Sequence, residues 1–576
     1  MDYRIIYENW IKNPLILPEA LNELQEKAND EKELEYRFAT SLKFGTAGMR
    51  GLLGYGTNMM NIYTVRRATE GLSRYILSLG ESAKMRGVVI SYDTRKNSEL
   101  FARNAAGVLS ANGINVYLFN DVRPVPMLSF AVRHLKAIAG IMITASHNPK
   151  EYNGYKVYGE DGAQMSPEAT AKVVEKIEEI QDYLSVKADD IVIKKSGNVN
   201  AYVKMIGSKV DKKYYKTISK LSLSKKAVKQ CGKNIKLVYT PVHGSGYVPV
   251  TKILSKLGIK ATLVEEQICK DINFSTVEVP NPENKETLSL GITLANKINA
   301  EVVFGTDPDC DRLGVALKDD SGEFIALTGN QVGVLLTDYV LSRLKEENNL
   351  SKNGAIINSY VSTGMAKAIA EDFGVTHFET PVGFKFIGEK IYEFETSHEH
   401  EFIFGFEESC GYLRGTHCRD KDAVVASMLF AEMVCYYESK KTSVYKRLKE
   451  LYEKYGYYID KNVSTAFSGL YAMDEMNAVV DKLKSLKLSD LGGYEVLAVR
   501  DYSKGIRITA EGEEEKINMP LTNCVYYEIE NGSFVCVRPS GTEPKLKVYY
   551  SIKGQDEEIA SRALGKIRGA FESILK

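Results

Sequence analysis

The sequence lacks an excess of charge of either sign, and it lacks any long apolar run. Its 576 residues carry 75 Lys plus Arg and 75 Asp plus Glu, so the formal net charge is zero. A balanced charge gives no electrostatic reason to expect a nucleic-acid or membrane partner, and any anion must be held by a local site. No window approaches ~18 unbroken apolar residues, and the first residues contain no signal-peptide core. We therefore expect a cytoplasmic protein with neither partner.

The eight cysteines lack the spacings that mark a metal or redox site. They are scattered, with no Cys-x-x-Cys pair, and in a chain of this length they are typical of reduced cytoplasmic thiols. Phosphate-binding motifs of nucleotide enzymes are also missing. No Walker A pattern occurs, and His243-Gly-Ser-Gly246 does not complete a G-x-G-x-x-G fingerprint, so nucleotide use is not supported.

What the sequence does contain is an alternation of short β-branched runs with helices of ~10–15 residues, which predicts βαβ units and parallel sheets. The alternation occurs three times, and each time a polar loop follows the last strand. The end of the chain differs, because residues 494–507 and 523–550 alternate as antiparallel strands do.

We predict four domains, at residues 1–205, 206–325, 326–457 and 458–576. This number fits a length at which roughly three to five domains are expected. The predicted fold class is α/β, with three related α/β domains that have mixed, mostly parallel sheets. A smaller α+β C-terminal domain completes the fold, and the four domains are expected to surround one central cleft.

The stretch Ile141-Met-Ile-Thr-Ala-Ser-His-Asn-Pro149 begins as a buried strand and then breaks into a polar loop. Ser146 therefore lies just past the carboxyl end of a strand, where open parallel sheets bind their ligands. The flanking glycines of a G-x-S-x-G nucleophile are missing. A turn signal follows in Asn153-Gly-Tyr-Lys156, and it ends in a cation that could point back at whatever Ser146 holds.

A second polar loop carries three alternating carboxylates, Asp307, Asp309 and Asp311, which can converge on one hard cation. An EF-hand would need Gly at the sixth position and Glu at the twelfth, where this chain has Arg312 and Lys318. The EF-hand interpretation therefore fails. Three carboxylates held together repel one another unless a cation neutralises them.

Two further loops carry groups that suit a sugar phosphate. Arg538-Pro-Ser-Gly-Thr542 offers a guanidinium, two hydroxyls and free backbone N–H groups, a combination that suits a phosphate dianion. Glu407 and Ser409 offer an acceptor and a donor for adjacent sugar hydroxyls.

In their order and over essentially the whole chain, these motifs resemble those of the α-D-phosphohexomutases, the phosphoglucomutase and phosphomannomutase superfamily. Residues 144–149 match the family's phosphoserine loop, and residues 307–312 match its metal loop, in which an oxygen of the phosphoserine completes the coordination of Mg²⁺. The resemblance implies a phosphorylated serine at Ser146. The implied metal ligands are Ser146, Asp307, Asp309 and Asp311.

Other segments resemble the family's remaining loops. They are the glycine loop at 43–51, whose arginine faces the active site, the Gly-Phe-Lys-Phe-Ile motif at 383–387, the sugar loop at 405–411, the segment 417–422 and the phosphate loop at 538–544. An extra residue in the sugar loop leaves open whether Glu407 or Glu408 contacts the sugar, although alignment on Glu-Glu-Ser favours Glu407. The implied catalytic residues are Ser146, His147, Arg50, Lys156, Arg312 and Lys385. The implied substrate-binding residues are Glu407, Ser409, Arg419, Lys421, Arg538, Ser540, Gly541 and Thr542.

The resemblance implies an isomerase that interconverts glucose 1-phosphate and glucose 6-phosphate through a phosphoserine. Its expected cofactors are Mg²⁺ and, as activator and intermediate, glucose 1,6-bisphosphate. Alternatives are a phosphomannomutase, a phosphopentomutase or a glucose-1,6-bisphosphate synthase of the same superfamily, and then a catalytically silent sugar-phosphate-binding protein. The expected partners are small sugar phosphates, and the expected state is a monomer or weak dimer. Lys156, His147 and Lys385 are candidates for general acid and base, in no fixed order.

Overall fold

The computed structural model of the chain describes residues 2–45, 48–467, 472–486, 488–540 and 545–575. The chain divides into two compact units. The first unit comprises Met1–Ala326, Gly388–Glu393 and Gly411–Tyr436. The second unit comprises Leu327–Ile387, Phe394–Cys410 and Tyr437–Lys576. Among the described residues, no helix is both long enough and apolar enough to cross a membrane.

The first unit begins with helices around a seven-stranded mixed sheet, in the order β1-β5-β4-β2-β3-β7-β6. The strands are β1 (Met49–Leu52), β2 (Val88–Tyr92), β3 (Val116–Phe119), β4 (Ala139–Ile143), β5 (Tyr152–Tyr158), β6 (Gly197–Asn198) and β7 (Val203–Ile206). The helices are α1 (Tyr3–Ile11), α2 (Pro18–Glu26), α3 (Glu31–Phe38), α4 (Ile62–Ser78), α5 (Glu81–Arg86), α6 (Ser98–Ala111), α7 (Val125–Leu135) and α8 (Pro167–Glu178).

The middle of this sheet is parallel and buried. β2 pairs in parallel with β3 and with β4, and every residue of β2 and β4 is buried. Burial on both faces explains why these strands are continuous apolar runs in the sequence. α6 and α7 both pack against β2 and β4. β4 ends at Ile143, so Ser146 follows the carboxyl end of a central parallel strand, as predicted.

A second sheet in the first unit has five strands, in the order β12-β11-β10-β8-β9. β8 pairs in parallel with β9 and with β10. β11 pairs antiparallel with β10, and β12 pairs antiparallel with β11. The strands are β8 (Leu237–Thr240), β9 (Ala261–Leu263), β10 (Val302–Thr306), β11 (Leu313–Lys318) and β12 (Phe324–Ala326). The helices are α9 (Ser208–Ile218), α10 (Lys225–Cys231), α11 (Tyr247–Leu257) and α12 (Ser289–Ile298), with 3₁₀ turns at Ser219–Leu221, Glu265–Gln267 and Lys285–Leu288.

The third α/β segment contains β13, which pairs in parallel with β14 and β15 in the second unit. The strands of this segment are β13 (Gly354–Ser359), β14 (Thr376–Thr380), β15 (Glu401–Glu407) and β16 (Gly411–Arg414). Its helices are α13 (Gly329–Glu346), α14 (Met365–Asp372), α15 (Phe384–Ser397), α16 (Ala423–Ser439) and α17 (Val444–Tyr455). The range 411–436, which includes β16 and most of α16, belongs to the first unit.

The C-terminal segment forms a seven-stranded sheet in the order β17-β23-β22-β21-β18-β19-β20, antiparallel at every pairing. The strands are β17 (Tyr457–Ala466), β18 (Val496–Asp501), β19 (Ile506–Thr509), β20 (Glu514–Lys516), β21 (Val525–Ile529), β22 (Ser533–Pro539) and β23 (Lys545–Gly554). The helices are α18 (Ala472–Ser485) and α19 (Glu557–Leu575). A 3₁₀ turn at Glu530–Gly532 joins β21 to β22. The first two sheets are mixed, with equal numbers of parallel and antiparallel pairings, and the third contains the parallel strands β13, β14 and β15. Three such α/β sheets followed by an antiparallel one confirm the predicted α/β fold class.

Candidate active site

The loop after β4 holds Ser146 in a backbone conformation that is rare for a serine. Its φ is 52°, in the left-handed region. Ser146 is only 3% exposed, and its N–H donates to Thr144 Oγ1 at 2.8 Å. Arg50, which the resemblance directs at the site, donates to Asn148 Oδ1 at 2.8 Å and so contacts this loop. Such strained residues cluster at active sites, and the observation marks Ser146 as a functional candidate.

Arg95 fixes the shape of the serine loop, a role that sequence reasoning missed. Its guanidinium donates to the carbonyl oxygens of Ser146 and, at 2.5 Å, of Asn148. It also reaches the carbonyls of Pro149 at 2.9 Å and Tyr152 at 3.2 Å. The signal was present, because Arg95 follows the end of β2, and β2 is the parallel neighbour of β4.

The three predicted metal ligands converge in the first unit. One ligand atom from each of Asp307, Asp309 and Asp311 lies within 4.8 Å of the other two, and none of the three residues is more than 1% exposed. Ser146 Oγ donates to Asp307 Oδ2 at 2.8 Å, which joins the serine loop to the carboxylate loop. The Oδ1 atoms of Asp309 and Asp311 are buried without a hydrogen-bond partner. Because an unpaired buried carboxylate oxygen is costly, this donor set fits a divalent cation with oxygen ligands.

Two lysines partly compensate the carboxylates. Lys156 Nζ lies 3.0 Å from Asp309 Oδ2 and 3.8 Å from Asp311, and Lys421 Nζ lies 3.3 Å from Asp311. Burial and the neighbouring carboxylates raise the pKa of Asp307 well above its usual range and also raise that of Asp311. Burial acts in the same sense on Asp309, but Lys156, Lys421 and the hydrogen bond with Asp307 together outweigh it and lower the pKa of that carboxyl. With all three carboxyls ionised, the cluster keeps a net negative charge that a metal would neutralise.

His147 lies beside the serine, with its Nδ1 atom 3.3 Å from Ser146 Oγ. Burial, and then the charge of Arg312, holds the pKa of His147 well below its usual range, so the imidazole is neutral. Arg312 itself donates its backbone N–H to Asp307 Oδ1 at 3.0 Å, and its guanidinium pairs with Glu283.

Arg419 is fully buried in the segment 417–422. Its guanidinium donates to the carbonyl oxygens of Thr416 at 2.8 Å and Cys418 at 3.4 Å. These contacts hold the shape of the segment, and the substrate contact of Arg419 stays a prediction. Lys421 lies among carboxylates, since it is also 3.2 Å from Asp420.

Asp422 organises this segment, which sequence reasoning also missed. Its carboxylate accepts from His417 Nε2 at 2.7 Å and from the Tyr214 hydroxyl at 2.7 Å. It also accepts from the backbone N–H groups of Val424 at 2.9 Å and Val425 at 3.0 Å, in the first turn of α16. A carboxylate at the start of a helix is a usual capping signal. These contacts show Asp422 as a structural anchor for the loop that carries Lys421.

In the second unit, both glutamates of the predicted sugar loop have protein partners. Glu407, at the end of β15, is 5% exposed and accepts from the Gly383 N–H at 2.7 Å. Glu408 accepts from Ser359 Oγ at 2.9 Å. Because both carboxylates are held in this way, the geometry does not choose between them, and the preference for Glu407 stays a prediction.

Three other predicted residues of the second unit are Lys385, Ser409 and Arg538. Lys385, in the first turn of α15, has its Nζ 4.7 Å from the ring centre of Phe386. Ser409 is half-buried. Arg538 is on β22, and although burial opposes its charge, its neighbours Tyr549, Tyr360 and Cys524 together raise the pKa of Arg538.

The phosphate loop after β22 is described only in part. The N–H of Ser540 donates to the carbonyl of Lys545 at 2.8 Å. The predicted ligands Gly541 and Thr542 lie outside the described residues.

Fold and site together define a multi-domain α/β protein in which a strand-end serine bonds to a three-carboxylate cluster. Four family models match the chain in sequence. They are phosphoglucomutase/phosphomannomutase alpha/beta/alpha domain I at residues 41–184, domain II at 212–322, domain III at 328–455 and the C-terminal domain at 477–564. The chain belongs to the phosphoglucomutase/phosphomannomutase family.

Curated relatives agree with this assignment. The phosphoglucomutase of Staphylococcus haemolyticus is 36% identical over 533 residues, which is 92% of this chain and 93% of the relative. The phosphoglucomutase of Staphylococcus epidermidis is also 36% identical, over 94% of this chain and 96% of the relative.

Solved structures share the fold. A putative phosphomannomutase from Thermus thermophilus has a TM-score of 0.67 at 24% identity, covering 92% of this chain and 99% of its own. The phosphoglucomutase parafusin from Paramecium has a TM-score of 0.68 at 18% identity, covering 93% of this chain and 94% of its own.

Proposed function

We propose that the protein is a phosphoglucomutase, which interconverts glucose 1-phosphate and glucose 6-phosphate. The observation that carries the proposal is the 2.8 Å hydrogen bond from Ser146 Oγ to Asp307, one of three buried carboxylates. It brings the Ser146 hydroxyl to a buried carboxylate cluster that fits a divalent cation. Phosphoryl transfer depends on positioning and charge neutralisation, and in this proposal the loop supplies the positioning while a cation held by the carboxylates would supply the neutralisation. The curated phosphoglucomutases at 36% identity support glucose as the sugar.

In this proposal Asp307, Asp309 and Asp311 hold Mg²⁺ together with the serine-bound phosphate. When bound, Mg²⁺ would neutralise charge on the transferring phosphoryl group. The protein's part is to keep the three carboxylates buried and close, which the loop after β10 does, and to anchor the serine loop, which Arg95 does.

Phosphorylated Ser146 is proposed to donate its phosphoryl group to a free hydroxyl of the sugar phosphate. The hydroxyl oxygen forms a bond to phosphorus while the bond from phosphorus to Ser146 Oγ breaks, and glucose 1,6-bisphosphate results. The proton of the hydroxyl passes to a base. Neutral His147 lies within 3.3 Å of Ser146 Oγ, and Lys156 and Lys385 are the other candidates. The bisphosphate then turns over, so that its other phosphate rephosphorylates Ser146.

The motifs that resemble the family's loops give the proposed substrate contacts. Glu407 and Ser409 suit adjacent sugar hydroxyls, and Arg538, Ser540 and the loop that follows suit the phosphate that does not react. Arg50 and Arg312 add positive charge near the reacting phosphate, and Lys421 does the same from the carboxylate cluster.

A substrate panel tests this assignment. Purified enzyme with Mg²⁺ and a trace of glucose 1,6-bisphosphate is offered glucose 1-phosphate, mannose 1-phosphate and ribose 1-phosphate. We expect the highest kcat/KM with glucose 1-phosphate and no turnover by Ser146→Ala. A preference for mannose or ribose would reassign the sugar. Net synthesis of the bisphosphate would indicate a synthase, and no turnover of any sugar would indicate a binding protein.

A further inference from the structure

Residues 208–260 are strongly basic although the whole chain is neutral. They contain thirteen lysines and one acid, Asp211, with no Glu and no Arg. Asp211 is already paired, because Arg123 contacts it at 2.9 Å. The segment has a formal charge of +12, so the remainder of the chain carries −12.

Helix α9 presents four of these lysines on one face. They are spaced i, i+3, i+4 and i+7, a pattern that lines one side of a helix. The opposite side is buried in the first unit through Val210, Tyr214, Tyr215 and Ile218. The exposed lysines are Lys209, Lys212, Lys213 and Lys216.

The charged surface continues beyond α9. On α11, Val248 is 61% exposed, and Lys252 and Lys256 follow it at four-residue steps, so the three share a face. α11 packs against the Ser219–Leu221 turn that follows α9. The other exposed lysines of the segment are Lys220, Lys225, Lys226, Lys229, Lys233, Lys236 and Lys260.

Local stability does not explain this surface. Within the described part of the chain, none of the thirteen lysines has a carboxylate partner within 4.0 Å. Like charges four residues apart destabilise a helix, and α9 contains two such pairs, Lys209 with Lys213 and Lys212 with Lys216. An external polyanion would convert this repulsion into attraction.

We propose that this lysine surface docks the enzyme on anionic phospholipid bilayers. Clusters of lysine on an amphipathic helix bind anionic headgroups by charge alone. Nucleic-acid recognition favours arginine, whose planar fork matches phosphates and base edges, and residues 208–260 contain none. The apolar side of α9 is buried, so docking is electrostatic and reversible, with Val248 as an apolar contact. Whole-chain neutrality had argued against a membrane partner, and the local charge revises that expectation.

The proposal is independent of the phosphoglucomutase assignment and predicts a strong salt dependence. Each lysine near an anionic leaflet strengthens binding about five-fold, which corresponds to ~1 kcal/mol. Removing the four charges of α9 should therefore weaken binding by roughly several hundred-fold. Raising the salt should also release the protein, because screening shortens the reach of the surface potential.

Sedimentation with vesicles tests the proposal on the full-length enzyme. Vesicles of phosphatidylcholine alone are compared with vesicles that also contain phosphatidylserine, at low and at high salt. The test variant carries Lys209→Gln, Lys212→Gln, Lys213→Gln and Lys216→Gln. The matched control carries four glutamines at exposed lysines elsewhere, Lys32, Lys352, Lys461 and Lys566, and so has the same net charge.

We expect binding only with phosphatidylserine, its loss in the test variant and at high salt, and its retention in the control. Mutase turnover and circular dichroism check that the variant is folded. If it is not, four glutamines at Lys225, Lys226, Lys229 and Lys233 take its place. Absence of phosphatidylserine-dependent binding, or equal loss in the control, would overturn the proposal. Tighter binding to a DNA duplex of arbitrary sequence than to the vesicles would overturn it in favour of nucleic acid.

Discussion

Replacing Arg95 by lysine tests whether one guanidinium sets the shape of the serine loop. Arg95 donates to four backbone carbonyls, those of Ser146, Asn148, Pro149 and Tyr152, while its own side chain is fully buried. Lysine keeps the positive charge and most of the length. Nη1 serves Pro149 and Tyr152 while Nη2 serves Ser146 and Asn148, and the single nitrogen of an ammonium cannot occupy both positions, so we expect two of the four bonds to be lost.

The size of the effect follows from the bonds that are lost. A hydrogen bond to a charged group contributes about 1.5–3 kcal/mol, so losing two should cost about 3–6 kcal/mol. One global unfolding free energy is poorly defined for a multi-domain chain. Hydrogen exchange of residues 144–153 is the better assay, because it reports local opening. We expect exchange to become at least ~100-fold faster there, with a matching loss of kcat.

Arg86→Lys is the control for this experiment. Arg86 also donates to two backbone carbonyls, at 2.9 and 3.3 Å, but its side chain is 36% exposed and lies away from the loop. We expect it to leave both exchange of the serine loop and kcat unchanged. An Arg95→Lys enzyme with native protection and native kcat would refute the anchoring role.

Three other changes test separate parts of the account. Asp309→Asn should weaken Mg²⁺ binding at least tenfold in isothermal titration, because one of three buried carboxylates is lost; equal affinity would exclude Asp309 as a ligand. Arg538→Ala should lower kcat/KM, mostly through KM, because the transition state loses about 1.5–3 kcal/mol of stabilisation. An unchanged kcat/KM would remove Arg538 from the phosphate site. Burial raises the pKa of Asp460 from 3.8 to about 6, so the folded chain keeps a proton that the unfolded chain has lost. Stability should therefore fall as the pH rises through that window, and Asp460→Asn should remove the fall. If plots of the thermal unfolding midpoint against pH are parallel for the unchanged protein and for Asp460→Asn, this prediction is contradicted.

The fold class and the two central loops could be predicted because their signals are local. β2, β4 and β10 are buried apolar runs that end in polar residues, so the sequence marks both the strand and the point where it stops. Ser146 and the aspartate loop follow such ends. Their contact at 2.8 Å joins residues 161 positions apart, and only the resemblance to the phosphohexomutases predicted it.

β17 was missed because it has no period-two pattern. It spans Tyr457–Ala466 at the edge of the C-terminal sheet, and Tyr458 is the one residue of the strand that is buried. A strand with mostly solvated side chains gives no alternation of apolar and polar residues to detect.

The roles of Arg95 and Arg419 could not be inferred from the sequence for a different reason. Both are charged residues in loops, which are normally solvated or at a binding site. In this protein each is buried because its guanidinium satisfies backbone carbonyls, and the sequence does not show which carbonyls will be nearby. The resemblance implies a substrate contact at position 419, and that role stays a prediction beside the carbonyl contacts that the structure shows.

Local charge was hidden by the whole-chain sum. The net charge of the chain is zero, yet residues 208–260 alone carry +12. Charge counted for each predicted segment, rather than for the whole chain, would have revealed the lysine surface.

The central claim is that Ser146 carries the phosphoryl group, and intact-protein mass spectrometry with peptide mapping tests it most directly. The enzyme is incubated with glucose 1,6-bisphosphate and Mg²⁺, freed of ligand, and then chased with glucose 1-phosphate. The account predicts one added phosphate, located on Ser146, which disappears during the chase, and none on Ser146→Ala. A fully active enzyme with no phosphate on Ser146, or with the phosphate on another residue, would contradict it.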